Sequence, residues 1–165
     1  MSRTTAPPLR PPVHIRTLRL YGDLEHPVNL SVTQLRRWPA HQAEVVFDCA
    51  TNGAQRHLFA GPLLRDVVAE AGPTFDVRRR KDRSRFLIAV FGGDGHRAVL
   101  SWPEIDAEFG NSPVLLATSL DGHPLDAEGS QLVVPSDACG ARYVSAITSI
   151  WVGAYLPPET GRQQV

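Results

Sequence analysis

The chain is expected to fold as α+β, with mixed or antiparallel sheets and short helices, and three observations lead there. Apolar runs of strand length recur along the sequence, separated by turns rich in glycine and proline. Helical spacing of apolar residues is confined to a few short stretches, each with its own start and stop signals. The length, 165 residues of which 42% are hydrophobic and 21% charged, suits one domain with a core of its own.

Seventeen basic and seventeen acidic side chains cancel, which removes the electrostatic ground for a nucleic-acid or anionic membrane partner. No apolar run is long enough to span a bilayer, and the first residues lack the apolar segment of a secretory signal, so a cytoplasmic location is expected. Residues 1–13 and 157–165 are rich in proline and polar side chains and read as disordered tails flanking a domain over 14–156. Two cysteines, Cys49 and Cys139, make neither a disulfide framework nor a zinc site, and leave a single bridge open.

In order, the residues from His14 to Leu20 alternate as a strand with one wet face, and Val28 to Leu30 can pair back on it. Ser31 is placed to cap a short helix with Leu35 and Trp38 inward. Glu44 to Ala50 reads as a buried strand, and Arg56 to Ala60 as a short one. Leu63, Leu64, Val67, Val68 and Ala71 then fall on one helical stripe, stopped by Gly72-Pro73. The basic run from Arg78 to Arg85 lacks interleaved aromatics and is expected to be a solvated loop. Phe86 to Phe91 and Arg97 to Leu100 form a hairpin about Gly92-Gly93-Asp94-Gly95. Ser101-Trp102-Pro103-Glu104 has a capping-box pattern, which predicts a helix to about Phe109. Strands follow at Val114 to Thr118 and Gln131 to Pro135, with His123 in a turn between them, and the stretch from Tyr143 to Val152 closes the fold.

Chemistry concentrates after Val45-Val46-Phe47-Asp48-Cys49, where an apolar run ends on a cysteine and breaks into Ala50-Thr51-Asn52-Gly53. A thiol at a strand end offers a soft donor on a rigid element, whereas its plain alternative is a packed core cysteine. Asp48, Cys49, Asp94, His96, His57 and Tyr143 are the candidate acids, bases and hydrogen-bond donors of a pocket there. Each has a structural alternative: a turn-former for Asp94, a wall residue with a tethered hydroxyl for Tyr143, and exposed side chains for the histidines.

The sequence resembles the molybdopterin-binding domain of the sulfite oxidase family in a short, stand-alone form, from about Leu18 to Val152. The resemblance rests on Leu20-Tyr21-Gly22-Asp23-Leu24, Cys49, Phe59-Ala60-Gly61-Pro62-Leu63-Leu64, Gly93-Asp94-Gly95, Asp121-Gly122-His123-Pro124-Leu125, Leu132-Val133-Val134-Pro135 and Arg142-Tyr143-Val144, in that order. It implies that Cys49 ligates molybdenum beside the dithiolene of the pterin, for two-electron oxygen-atom transfer; Cys49, Asp94, His96 and Tyr143 are the residues expected to be catalytic. It further implies that Asn52, Arg56, His57 and Arg142, with His96 and Arg97 nearby, hold the cofactor and its phosphate.

The chain departs from the pattern in its short Thr51-to-Gln55 connection and in Ser145, which stands where a lysine often meets the pterin. A second reading is therefore a cofactor-free member of the fold whose pocket binds a small organic molecule or catalyses a non-redox step. A third is an interaction module for a partner redox subunit, with Trp38, Trp102 and Trp151 as anchors.

Overall fold

A computed structural model describes residues 16–49 and 53–156 of the chain. Its main sheet has five strands in the order β2-β1-β11-β5-β6. These are β1 (Thr17–Gly22), β2 (Val28–Ser31), β5 (Phe86–Gly92), β6 (Arg97–Ser101) and β11 (Ile147–Ala154). Strand β1 runs parallel to β11, and the other pairings are antiparallel, so the sheet is mixed. Leu18, Leu20, Ile88, Val90, Leu100 and Ile150 are buried from alternate positions, as expected of a sheet with one face on the core.

The second sheet has the order β3-β4-β8-β9, with β3 (His41–Cys49) at its edge, β4 (Gly53–Gly61), β8 (Ser119–Leu120) and β9 (His123–Pro124). A third, two-stranded sheet pairs β7 (Leu115–Ala117) with β10 (Gln131–Val133), and all of their residues but Gln131 are buried. Helix α2 (Leu64–Glu70) adds Leu64, Val67 and Val68 to the same core. Two helices start on reciprocal capping boxes, Ser31 with Gln34 for α1 (Val32–Leu35) and Ser101 with Glu104 for α4 (Trp102–Ile105). No helix among the described residues is long and apolar enough to cross a membrane.

Several expectations are corrected. Strand β3 is not buried: Val46 is 50% exposed, because the hairpin lays only Ala43, Val45 and Phe47 against the core and turns Glu44 and Val46 outward. The basic run is not a solvated loop, since Arg80–Arg83 forms helix α3 and Arg83 is buried against Asp106. Helix α4 stops at Ile105, where Asp106 leaves helical geometry with ψ 131° and its side chain turns back to accept from Trp102 and Arg83. Helix α1 likewise ends at Leu35, leaving Trp38 beyond it and partly buried. His123 lies in β9, and the turn is made by Asp121 and Gly122 at φ 50° and 79°.

Helix α1 is tied to the segment between β9 and β10 by Asp126, which accepts from both terminal nitrogens of Arg36 at 2.9 and 2.5 Å and from Thr33 Oγ1 at 2.8 Å. The Arg36 hydrogen bonds hold the Asp126 carboxyl down at about 2. A carboxyl whose folded pKa lies below its unfolded value of 3.8 stabilises above about pH 4 and loses that contribution as pH falls through about 2. Both side chains are about 40% exposed, so screening keeps the effect under about 1 kcal/mol. Urea unfolding at pH 6 and pH 2 checks this: Asp126→Asn is expected to be less stable than the parent at the higher pH, with the gap closing at the lower.

Candidate functional site

Of the sequence-predicted residues, His57, His96, Arg142 and Tyr143 lie in or near one short segment, the 3-10 turn Gly140–Arg142 and the Tyr143 that follows it. Phe47 of β3 lies on this turn so closely that a Cβ on Gly140 would sit 2.8 Å from its ring. The absence of a side chain at Gly140 is what lets the hairpin approach. Phe47 also meets Tyr143 edge-on at 5.1 Å and His57 at 5.9 Å between ring centroids, while Phe59 stands 6.2 Å from Tyr143. The result is an aromatic wall at the hairpin, built by Phe47 of β3 and His57 and Phe59 of β4 on one face and closed by Tyr143.

The polar groups on this wall are held in place. Tyr143 is buried, and its hydroxyl donates to the Val134 carbonyl at 3.0 Å. Burial raises its pKa, which favours the neutral phenol. His57 donates from Nδ1 to Asp121 Oδ2 at 2.8 Å, and Asp121 Oδ1 accepts from the Leu58 amide at 2.8 Å. These bonds, the amide first and the imidazole second, lower the Asp121 pKa and keep it ionised. With Nδ1 as the donor, Nε2 is left as the imidazole's basic nitrogen.

His96 reaches the same segment from the main sheet, donating from Nε2 to the Ala141 carbonyl at 2.9 Å. Asp94 accepts the His96 amide at 2.9 Å and so shapes the turn that presents His96. Asp121 and Phe47 were not visible as site residues in the sequence. Asp121 is 64 positions from His57 and carries only an Asp-Gly turn signal, while Phe47 reads as one more apolar strand residue.

Two of the expected cofactor contacts are placed otherwise. Arg56 lies on the outer face of the hairpin, where it pairs with Glu44 at 2.5 Å and does not join His57. Arg142 is clamped by two carboxylates: Asp137 accepts from Nε and Nη2 at 2.8 and 2.6 Å, and Glu104 from Nη1 at 2.9 Å. That clamp raises the Arg142 pKa and lowers that of Asp137. Cys49 closes β3 in register with Gly53. Its side chain, that of Asp48, and Asn52 as a whole lie outside the described residues. Cys139 is an exposed free thiol.

A phosphate-bearing anionic cofactor needs uncompensated cations or free N–H donors. Arg142 already faces two negative charges, Arg56 points away, and the two histidines spend a nitrogen each on protein acceptors. Of the expected phosphate contacts, Arg97 is the one arginine left without a carboxylate among the described residues; it stacks on Phe91 and is the cation that would meet the phosphate of such a group. No cluster of three His, Cys, Asp or Glu side chains suited to a metal occurs among them. Three clefts among the described residues, of about 630, 120 and 150 Å³, are lined by other residues.

No curated protein matches the sequence. Among solved structures, the chain is similar to the sulfane dehydrogenase SoxCD from Paracoccus pantotrophus, with a TM-score of 0.64 and 19% identity. That likeness covers 87% of this chain and 39% of the SoxCD chain, so this chain spans well under half of that one. At such identity it establishes a shared fold. The sequence model of the oxidoreductase molybdopterin binding domain matches residues 11–159, and the chain belongs to that family.

Proposed function

We propose that the chain acts as a molybdopterin-dependent oxidoreductase domain in which Cys49 supplies the thiolate ligand. The observation that supports this most is the position of Cys49 at the end of β3, inside the matched span and two residues along the strand from Phe47, which meets His57 and Tyr143. When bound, the metal would supply two-electron or oxygen-atom transfer to or from a small substrate, a task for which soft sulfur donors suit molybdenum. On this reading the chain's own residues enclose and orient: Phe47 and Phe59 exclude water, Tyr143 stays neutral, and the His57 imidazole offers Nε2 to take up a proton. A separate redox subunit as electron partner belongs to the same reading.

The clamp on Arg142 favours a second reading, in which the family fold is kept without the cofactor and the His57–Asp121 pair serves a non-redox site for a small organic molecule. Expression in a host that makes the pterin, followed by elemental analysis for molybdenum and fluorescence of oxidised pterin, separates the two. The first reading expects near-stoichiometric metal and pterin, and loss of the metal in Cys49→Ser with an unchanged circular dichroism spectrum. Absence of both from the parent protein, or full metal retention in Cys49→Ser, would overturn it.

A further inference from the structure

Strand β3 forms one edge of the second sheet, and its outer side is open among the described residues. It is nine residues long and pairs with β4 alone, in one unbroken register from His41↔Gly61 to Cys49↔Gly53. In an antiparallel ladder alternate residues turn both N–H and C=O away from the neighbouring strand, so about half of these residues direct both groups outward. No turn or loop backbone among the described residues bonds to them.

The other edges are short or closed. Arg142 Nη1 donates to the Val99 carbonyl of β6 at 3.4 Å, β2 has four residues between Pro27 and helix α1, and β9 is the dipeptide His123-Pro124. In the third sheet, Leu116 of β7 donates to the Pro62 carbonyl and Leu132 of β10 to the Val144 carbonyl. A long edge strand is commonly guarded by proline, lysine or a bulge, and β3 has none of the three.

The sequence of β3 also fits a second copy of itself. When two antiparallel copies extend one sheet about a two-fold axis, opposed residues point to the same face, so odd positions meet odd ones and even positions even ones. Centred on Glu44, the pairing sets two carboxylates opposite each other; centred on Val46, it sets Glu44 opposite the other copy's Asp48. Centred on Val45, no like charges are opposed and all nine residues are paired. Glu44, already neutralised by Arg56, then lies beside the other copy's Val46, a β-branched side chain that is 50% exposed in the single chain.

We propose that the chain forms a two-fold dimer by antiparallel pairing of β3 with β3 of a second copy, centred on Val45, which joins the two hairpins into one continuous sheet. In this register His41 of the partner subunit stands opposite Cys49, so each copy contributes a residue to the strand end that carries the other's proposed metal ligand. That consequence rests on the redox reading of Cys49; the dimer does not.

Sedimentation equilibrium of the full chain tests this, with a reversible monomer–dimer equilibrium expected at about micromolar Kd. Val46→Glu sets a carboxylate opposite Glu44 of the partner subunit, and the contact occurs twice about the axis, so the dimer is expected to weaken about tenfold. Val46→Lys reverses the sign and is expected to hold the dimer at least as tightly as the parent. Position 46 is half exposed, so neither change touches the core. Mild oxidation with glutathione disulfide in a Cys139→Ser background, which removes the exposed thiol, reads the register. Val45→Cys is expected to cross-link through position 45, where the chains meet at about 5 Å between Cα atoms, whereas Glu44→Cys, about 8 Å from its own copy, is not. A monomer at every concentration, equal weakening by both charges at position 46, or cross-linking of Glu44→Cys in place of Val45→Cys would overturn the proposal. None of these readouts depends on molybdenum, so failure of the dimer and failure of the redox reading are told apart.

Discussion

Asp106→Ala is expected to lower the stability of the domain by about 3–5 kcal/mol, the usual cost of removing one partner of a buried charged network. Asp106 is 6% exposed and carries more bonds than any other buried side chain described. Its Oδ2 accepts from Arg83 Nη1 at 2.8 Å and from the Trp102 indole at 2.6 Å, and its Oδ1 accepts from the Glu108 amide at 2.9 Å. Truncation strands the indole N–H in the core and leaves Arg83 with Glu108, a carboxylate that is 53% exposed and correspondingly weak as a counter-charge. In a domain of this size the change corresponds to a fall in Tm of about 10 °C. Asp106→Asn keeps an acceptor for the indole and is expected to cost about half as much. Thermal melts with matched urea titrations check the order; a loss below about 1 kcal/mol for Asp106→Ala would mean that the network contributes no more than an exposed ion pair.

The same network marks where reading the sequence succeeds and where it fails. The Ser101-to-Glu104 capping box was legible because both partners lie within one turn of each other, and Ser31 was legible as the cap of α1, though its return bond from Gln34 was not. The hairpin about Gly92 to Gly95 was legible because its two apolar runs flank the turn directly. Arg83 was not, because nothing local separates a solvated arginine from one whose partner is Asp106, 23 positions away. Strand β3 misled for a related reason. Its apolar run is dense enough for burial on two faces, but burial is decided by how many layers cover the sheet, and this hairpin sits at an edge with one face covered.

At the candidate site, the aromatic wall and the His57–Asp121 pair arise from contacts between β3, β4, the Asp121 turn and the segment at Gly140, which are distant in sequence. Residue type nominated His57, His96, Tyr143 and Arg142 as polar groups near a shared place, and the fold brings all four to the Gly140 segment or the aromatics against it. Residue type could not reveal that Arg142 is matched by Asp137 and Glu104 or that Arg56 faces outward. Facing depends on strand register, and a shift of one residue would have put Arg56 beside Phe47.

Gly61→Ala is expected to be among the most damaging methyl additions in this fold, costing more than about 3 kcal/mol and leaving little folded chain if the total stability lies at the low end of the ~5–15 kcal/mol usual for a domain. Gly61 ends β4 where the backbone crosses β7. Thr118 donates to the Ala60 carbonyl at 2.8 Å on one side, and Leu116 donates to the Pro62 carbonyl at 2.9 Å on the other. A Cβ at Gly61 would collide with the Leu116 carbonyl and lie 2.8 Å from Ala117 Cα, both of them backbone atoms of a fully buried strand. No side chain can swing aside, so relief requires β4 and β7 to separate, which weakens both hydrogen bonds and opens the core around Leu64 and Leu116. Gly95→Ala isolates the other cost of replacing a glycine: φ there is +87°, nothing lies within 4 Å, and a loss of about 1 kcal/mol is expected from backbone strain alone. Denaturant titrations of the two variants should therefore differ by more than about 2 kcal/mol, with Gly61→Ala the weaker. Equal losses would show that the β4–β7 crossing has slack. The glycine of Phe59-Ala60-Gly61-Pro62 would then owe its place to chain conformation, and not to the close approach that sets the hairpin carrying Cys49 against the core.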